Sequence, residues 1–231
     1  RMVYATYSTG YRPGGANRRP GIVPYESDTL DNYELGWKSM LFDRSLRLNA
    51  AVFFEQWDNL QFSATPVGSN GVFNVYNAGA AEITGAEGEF SWILPGDWTL
   101  SGSGTYIESE LTNDFCDFDA LGNSVCDPMV APAAPTGTEL PNQPRFKGTL
   151  TARHEFTLGT WDAFLQGTVL HQTSTRTFLT DEDASAVGDT KGFTTFNFST
   201  GVDLGDAAIQ LYVNNAFDER GILSRNAACA P

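Results

Sequence analysis

The fold is decided by residues 32–55, which read NYELGWKSML-FDRS-LRLNAAVFFE. In the first run, apolar Tyr33, Leu35, Trp37 and Leu41 alternate with Asn32, Glu34, Gly36 and Lys38. In the second run, Leu46, Leu48, Ala50, Val52 and Phe54 alternate with Arg47, Asn49 and Glu55, and only Phe53 interrupts the polar set. Successive side chains of a β-strand point to opposite faces. The stretch therefore predicts a hairpin that turns at 42–45 and has one apolar and one polar face.

The same alternation recurs along the whole chain. Further runs lie at 86–92, 99–106, 145–153, 161–172, 196–204 and 209–214, after an opening run at Val3–Arg12. Together they predict nine strands, most of them about ten residues long, whereas soluble strands usually have about five or six. A strand needs about 9–11 residues to cross the hydrocarbon of a membrane. Strand length therefore favours a membrane-spanning sheet over a soluble sandwich.

The connections between these strands alternate between short and long. Short ones are predicted at 42–45, 94–97, 157–160 and 205–206, and long ones at 13–28, 62–79, 111–142 and 175–191. Outer-membrane barrels have this asymmetry. The pattern predicts an all-β protein built as part of an antiparallel, up-and-down transmembrane β-barrel. The apolar face would meet lipid, and the polar face would line the lumen.

Aromatic residues flank two of the short connections. Trp92 and Trp98 lie on either side of 94–97, and Phe156 and Trp161 lie on either side of 157–160. Aromatic rings with a polar edge favour the level of the lipid headgroups. The pairs indicate either an interfacial girdle or ordinary packing at strand ends.

Charge and cysteine content exclude several classes of protein. The net charge is −14 with an isoelectric point near 4.4, so the chain lacks the clustered cations that nucleic acids require. The acidic stretches 108–127 and Asp181-Glu182-Asp183 are interpreted as solvated loops. Cys116 and Cys126 could pair in an oxidising compartment and leave Cys229 over, or all three could be free thiols.

No catalytic, cofactor or metal site is predicted. The only histidines, His154 and His171, fall at distant points of adjacent strands, and no cysteine spacing suits zinc. The segment Asp117-Phe118-Asp119-Ala120-Leu121-Gly122 resembles the start of a calcium loop. Leu121 and Pro128 stand where such a loop needs oxygen ligands, however. The sequence gives no reason to expect an enzyme.

Five segments, in order, resemble landmarks of the TonB-dependent receptor barrel. They are Tyr4-Ala5-Thr6-Tyr7-Ser8-Thr9-Gly10-Tyr11-Arg12-Pro13-Gly14-Gly15, Asp31-Asn32-Tyr33-Glu34-Leu35-Gly36-Trp37-Lys38, Asn77-Ala78-Gly79 with Gly85-Ala86-Glu87, Leu140-Pro141-Asn142-Gln143-Pro144-Arg145, and Asn214-Asn215-Ala216-Phe217-Asp218. Each piece is weak alone, whereas their shared order along nearly the whole chain is specific.

The resemblance implies a 22-stranded barrel closed by an N-terminal plug, which imports a scarce nutrient with energy from the TonB complex. Residues 1–231 would form a single domain truncated at both ends, without the plug, the first half of the barrel or the last strand. The implied partners are outer-membrane lipid, the receptor's own plug, the TonB complex and a small-molecule cargo. The barrel would be monomeric, with its long loops extracellular.

The resemblance favours a ferric siderophore or a similar chelate as the cargo. A passive porin or adhesin barrel remains an alternative that shares the same lipid-facing physics. A secreted β-rich enzyme or a sugar-binding sandwich is a third class, which predicts a chain that folds alone and is soluble without detergent.

Charged residues on the polar faces are the candidate contacts to the plug or the cargo: Glu34, Lys38, Glu87, Glu89, Arg145, Lys147 and Arg153. Arg145, Lys147 and Arg153 are predicted to lie on one basic stripe. Such a stripe could attract an anionic cargo or pair with acids of the plug and of the lumen. Loop aromatics Phe62, Phe73, Tyr76 and Phe178 could also contact the cargo.

Overall fold

The structure is a computed structural model and describes residues 1–18, 20–64, 74–77, 79–116 and 126–225. Its elements in chain order are β1 (Met2–Arg12), β2 (Asp28–Leu41), β3 (Leu46–Asp58), β4 (Gln61–Ala64), β5 (Asn74–Asn77), β6 (Ala81–Leu94), β7 (Trp98–Leu111), β8 (Phe146–Leu158), β9 (Trp161–Gln172), α1 (Asp181–Val187), β10 (Phe193–Asp203) and β11 (Ala208–Val213). No helix among the described residues is long and apolar enough to cross a membrane.

Nine of these strands form one sheet in the order β1-β2-β3-β6-β7-β8-β9-β10-β11. Every neighbouring pair is antiparallel. All but β11 have 11 to 14 residues, and β11 has 6. The predicted nine-stranded, up-and-down sheet is therefore confirmed. The predicted runs at 86–92, 99–106 and 145–153 were shorter than β6, β7 and β8, because alternation fades at strand ends where backbone pairing continues, whereas the run at 161–172 has the bounds of β9.

Short and long connections lie at opposite ends of the strands, here called the turn end and the loop end. At the turn end, Phe42, Asp43 and Arg44 all have positive φ, and the Ser45 N–H donates to the Phe42 carbonyl over 3.0 Å. At the loop end lie the connections 13–27, 59–80, 112–145 and 173–192. The connections therefore alternate between short and long, as the sequence predicted.

The two faces of the sheet differ as the alternation predicts. Residues paired across antiparallel strands share a face, and the register places Leu35, Val52 and Leu150 on the apolar one. Leu35, Leu150 and Phe198 remain 55%, 43% and 45% exposed, while Trp37 and Phe54 are half-buried. The described residues thus form no dry core on this face, which a two-sheet sandwich would require.

Aromatic rings lie at both ends of the apolar face. At the turn end, Trp98 stacks on His154 with ring centroids 4.5 Å apart, and Phe42 stacks on Trp92 at 6.4 Å. At the loop end, Tyr11 of β1 lies on this face and is 75% exposed, and nearer the middle of the sheet the Tyr7 and Tyr33 rings are 5.1 Å apart. The four aromatics predicted beside the short connections all fall on this face by register. The apolar band is therefore bounded by aromatic rings at both ends.

The fully buried side chains collect at the loop end, on the polar face. Leu111 and Ala81 pair across β7 and β6, and they are 0% and 1% exposed. The long connections bring Leu60, Phe115, Ala134 and Leu179 onto this pair. The core therefore joins three long connections to the rim of the sheet. The strand pattern alone did not predict this core.

Two small elements within the long connections were also not predicted. Strands β4 and β5 form a separate hairpin between β3 and β6. Helix α1 begins after Thr180, whose hydroxyl accepts from the Asp183 N–H, and its first turn is Asp181-Glu182-Asp183. Reading these three acids as a loop was wrong. Acids in a first turn are favoured by the helix dipole and by the free N–H groups there.

Cys116 and Cys126 form a disulfide, with an S–S distance of 1.99 Å and Cα atoms 5.2 Å apart. Cys116 is buried beside Phe115, so the bond lies in the third long connection, next to the loop-end core. Cys229 lies outside the described residues, as do the calcium-like segment 117–122 and Phe73.

Candidate functional site in the polar face

The polar face presents most of the predicted charged residues as an ordered array. One row across the strands runs from Gly36 through Ala51, Glu87 and Thr105 to Lys147. The next row runs from Lys38 through Asn49 and Glu89 to Ser103. Because paired residues share a face, Lys38, Glu87, Glu89 and Lys147 all project to the same side.

A cleft of about 250 Å³ lies among Tyr4, Lys38, Asn49, Glu87, Glu89 and Thr105. The Lys38 ammonium lies 5.3 Å from the centre of the Tyr4 ring, and the Asn49 amide donates to Glu89 over 2.6 Å. Glu34 lies on the same face, beside Tyr4. The cleft is therefore a polar surface with two exposed carboxylates and one ammonium.

Lys147 is the basic residue of the array with the fewest neighbours of opposite charge. It stands opposite Thr105 on β7 and Gln172 on β9 and is exposed. Within the described part of the chain it forms no ion pair. Its charge is available to a group outside this segment.

Arg153 lies on the same face but close to the turn end. Its guanidinium carbon sits 3.7 Å from the centre of the Phe164 ring, and its Nε donates to Glu155 over 3.0 Å. A longer contact of 3.5 Å reaches Gln166. Arg153 is thus held by its own neighbours.

Arg145 precedes β8 and forms an ion pair with Glu139 in the long connection. The hydrogen bond and the charge of Glu139 raise the pKa of the Arg145 guanidinium. Eight residues separate Arg145 from Arg153, roughly 25 Å along a strand. The three basic residues therefore do not form one continuous stripe. Two of them pair with acids of this chain, which favours the structural interpretation for Arg145 and Arg153.

Sequence reasoning missed a polar hub at the loop end of the polar face. Asp28 is 1% exposed and accepts hydrogen bonds from the Arg12 Nε at 2.9 and 3.0 Å, the Trp57 indole at 3.0 Å and the Gln61 N–H at 3.1 Å. Arg12 also lies over the Trp57 ring, 4.9 Å from its centre. The register places Arg12, Asp28 and Trp57 on the polar face. The sequence analysis assigned Asp28 to a long connection, and alternation could not pair residues that such connections separate.

A second network ties the first long connection to the β4–β5 hairpin. The Asn17 amide donates to the Val75 carbonyl over 3.0 Å, and its oxygen accepts from the Val75 N–H at 2.8 Å. Gln61 and Asn77 each donate to the Glu26 carbonyl. Together with the shared core, these bonds join the long connections into one assembly, called here the loop cap: residues 13–27, 59–64, 74–80, 112–116, 126–145 and 173–192.

The loop aromatics proposed as cargo contacts serve mainly in packing. Phe62 meets Phe115 edge to face, with ring centroids 5.6 Å apart. Tyr76 is 3% exposed, and its hydroxyl accepts from the Asn74 amide over 2.9 Å. Phe178 is half-buried, and its carbonyl accepts from Arg176. Tyr76 is therefore buried within the loop cap, whereas Phe62 and Phe178 are half-buried.

The histidines lie on the apolar face, away from this array. His154 pairs with Leu165, and His171 pairs with Gly148. Among the described residues, no group of three or more histidines, cysteines and carboxylates is arranged to hold a metal ion.

A family model for the β-barrel of TonB-dependent receptor-like proteins matches residues 1–216. The chain belongs to the TonB-dependent receptors. Barrels of this family are outer-membrane proteins, and the family consists of transporters rather than enzymes. The resemblance inferred from five short landmarks is thereby confirmed.

Curated members of the family include proteins similar to part of this chain. A pesticin receptor from Yersinia enterocolitica is 34% identical over 116 residues, which are 48% of this chain and 16% of that protein. A probable TonB-dependent siderophore receptor, PiuA from Acinetobacter baumannii, is 26% identical over 160 residues, 64% of this chain and 20% of that protein. The chain thus spans a fifth or less of these receptors' lengths.

The barrel fold is shared with a solved TonB-dependent receptor. The crystal structure of the ferric yersiniabactin uptake receptor FyuA from Yersinia pestis superposes with a TM-score of 0.73 at 22% identity. The superposed residues are 99% of this chain and 32% of the FyuA chain. The polar array described above therefore belongs to a segment of a receptor barrel wall.

Proposed function

We propose that this chain forms part of the wall of an outer-membrane receptor that imports a ferric siderophore, or a similar chelate, with energy supplied through TonB. The observation that carries the proposal is the family match over residues 1–216, on a sheet whose polar face ends in a packed loop cap. A probable siderophore receptor and the ferric yersiniabactin receptor are among the similar proteins, which supports this class of cargo.

The physics of the two faces supports this placement. Exposed Leu35, Val52 and Leu165 gain by contact with hydrocarbon, which hides apolar surface from water. Lys38, Glu87 and Glu89 would be costly in the bilayer, at about 2–4 kcal/mol for a basic side chain near its centre. In a lumen these groups stay hydrated or paired. The apolar face is therefore assigned to lipid, and the polar face to the interior.

Inside the barrel, Glu34, Lys38, Glu87, Glu89 and Lys147 are assigned as contacts to the receptor's own plug or to the passing cargo. Lys147 is the strongest candidate for an anionic cargo, because it is exposed and stands between the uncharged Thr105 and Gln172. Lys38 is also exposed, but it shares its cleft with Glu87 and Glu89. We expect Lys147→Gln to weaken uptake several-fold, as for the loss of one ionic contact. Lys191→Gln in the loop cap is the matched control, since it removes the same charge from an exposed lysine.

The long connections are assigned to the outside of the cell, as in other outer-membrane barrels. Val130 in the loop cap is 60% exposed, and Asp206 lies in the short β10–β11 turn. In a Cys229→Ser background, Val130→Cys should react with a membrane-impermeant maleimide on intact cells. Asp206→Cys should react only after lysis. The reverse pattern would invert the orientation.

Uptake by the full-length receptor tests the proposal as a whole. A strain lacking the gene is complemented with the complete receptor and supplied with radioactive iron as ferric yersiniabactin, the compound named for the similar structure, and as other ferric siderophores. Uptake of one of these chelates should depend on the receptor and stop when a protonophore collapses the proton-motive force. Deletion of tonB should have the same effect.

The passive alternative makes the opposite prediction. A porin would continue to admit the solute after the proton-motive force is collapsed, and an adhesin would give no receptor-dependent accumulation. Receptor-dependent uptake of a non-iron nutrient that still requires TonB would keep the transport class and replace the cargo.

A further inference from the structure

The centre of the apolar face contains a groove whose floor is a row of glycines. In this row Ala50, Gly88, Gly104 and Gly148 stand side by side on β3, β6, β7 and β8. Four adjacent strands span about 14 Å. The groove has a volume of about 460 Å³, and its apolar walls are Leu48 and Phe90 on one side and Tyr106 and Phe146 on the other.

Packing within the chain does not explain the glycines at positions 88 and 104. A Cβ at Gly88 would meet only the Asn49 carbonyl oxygen at 3.5 Å, and one at Gly104 would meet the Phe146 ring at 3.4 Å. Both are ordinary van der Waals distances, and neither residue has positive φ. Glycine inside a strand costs about 0.5–1 kcal/mol relative to alanine. The effect of glycine at positions 88 and 104 is to keep the groove open.

Gly102 and Gly148 serve as a contrast. A Cβ at Gly102 would come within 2.8 Å of the Phe90 ring, and one at Gly148 within 2.9 Å of the Phe146 ring. These two glycines let aromatic rings lie flat as walls of the groove. Glycine interior to a strand commonly marks a place where another molecule approaches closely. The floor at Gly88 and Gly104 is such a place, and no residue of the described part of the chain occupies it.

We propose that this groove binds one acyl chain of an outer-membrane lipid. The charged neighbours Glu87 and Glu89 point to the opposite face, so the groove offers side chains that are apolar apart from the Tyr106 hydroxyl. That hydroxyl donates to Glu108 over 2.6 Å towards the loop end. The headgroup end of the acyl chain therefore lies at Tyr106, and its methyl end lies towards Leu48 and Phe90.

The occupant follows from the continuity of the groove with the exposed apolar face. Val52, Leu150 and Tyr106 around it are 54%, 43% and 45% exposed, so the surface opens directly into the lipid. The inference rests on the assignment of the apolar face to lipid, and it is independent of the cargo.

Photocrosslinking of the full-length receptor tests the groove. The receptor is placed in nanodiscs of phosphatidylethanolamine that carries a diazirine on one acyl chain, and adducts are mapped by mass spectrometry. Adducts at Tyr106 and Phe146 should exceed those at Leu165 and Phe198, which are equally exposed on the same face. Filling the floor with Gly88→Leu and Gly104→Leu should lower the groove adducts about fourfold or more, the change expected from losing the burial of one methylene.

Gly167→Leu is the matched control, because Gly167 lies on the apolar face outside the groove and its Cβ would meet Phe198 at 3.6 Å. It should leave the groove adducts unchanged. If the double variant does not fold, as judged by gel mobility before and after heating, Gly104→Ala should give a smaller decrease in the same direction. TonB-driven uptake, measured on the same variants, should persist, and this separates the lipid site from transport.

Equal adducts inside and outside the groove, or adducts unaffected by filling, would overturn the proposal.

Discussion

The loop end and the turn end of the same strands are stabilised in different ways. At the loop end, Leu111, Ala81 and Leu179 are at most 1% exposed, and Asp28 is buried and accepts five hydrogen bonds. At the turn end, short turns close the hairpins, and the rings of Trp98 and Trp161 remain 41% and 49% exposed. One end resembles the interior of a soluble protein, and the other resembles a membrane interface.

The difference follows from the solvent at each end. Long connections in water must hide their own apolar residues and pair their own polar groups, so they need a core. Strands in lipid have no such driving force, because hydrocarbon is as apolar as their side chains. Mutations of similar chemistry should therefore have unequal effects in the two regions.

The largest effect is expected from truncating a core leucine at the loop end. Leu111→Ala should destabilise the loop cap by about 2–5 kcal/mol, because Leu111 is 0% exposed and a cavity would remain. Leu35→Ala on the apolar face should cost under about 1 kcal/mol, because lipid or detergent fills the space and one leucine contributes little to membrane insertion. The rate of limited proteolysis in the loop cap measures the effect of Leu111→Ala, and thermal unfolding in detergent measures the effects of both variants. Equal effects would contradict the comparison.

Loss of the disulfide should have the next largest effect, again confined to the loop end. Replacing Cys116 and Cys126 together by serine releases a closure of 10 residues, worth about 2–3 kcal/mol in the chain-entropy account. Proteolysis of residues 112–145 should accelerate, while cleavage at the short turns should not change. Chemical reduction of the native receptor should reproduce the result. If both ends respond alike, the bond stabilises more than the loop cap.

Neutralising the buried carboxylate at the loop end should have a somewhat smaller effect. Asp28→Asn removes the charge that holds Arg12 and leaves fewer acceptor sites for the Trp57 indole and the Gln61 N–H. A cost of about 1.5–3 kcal/mol is expected for hydrogen bonds to a charged group. Loss of Trp57 protection from fluorescence quenchers would report the change. Asp43→Asn in an exposed turn is the control and should be neutral.

The smallest effects are expected at the turn end, where the substitutions change only the conformational strain of the backbone. Arg44 has φ of 70°, so Arg44→Gly should stabilise the β2–β3 turn by about 0.5–1 kcal/mol. Gly96 has φ of 80°, so Gly96→Ala should destabilise the β6–β7 turn by about 1 kcal/mol or more. Thermal unfolding in detergent should therefore show shifts of opposite sign. A shift of the same sign in both would mean that side-chain contacts decide these turns.

Much of the sheet could be predicted because its alternation is local. Within a few residues, the alternation identifies the apolar face of the runs Tyr33 to Leu41 and Leu46 to Phe54. The register between the two strands then follows from the short turn that joins them. The candidate site was only partly predictable. The alternation of side chains along each strand predicts that Lys38, Glu87 and Lys147 share a face. The pairing of Arg145 with Glu139, in contrast, depends on a bend in a long connection.

By itself, the sequence determined which side of each strand is apolar, how many long strands there are and to which receptor family they belong, because period-two patterns and short landmarks are local. Only the tertiary structure decided that Asp28 binds Arg12 and Trp57, that Tyr76 is buried against the loop cap, and that glycines of three strands align into one groove. These contacts join residues far apart in the chain. Their geometry depends on register and loop packing, which no single segment contains.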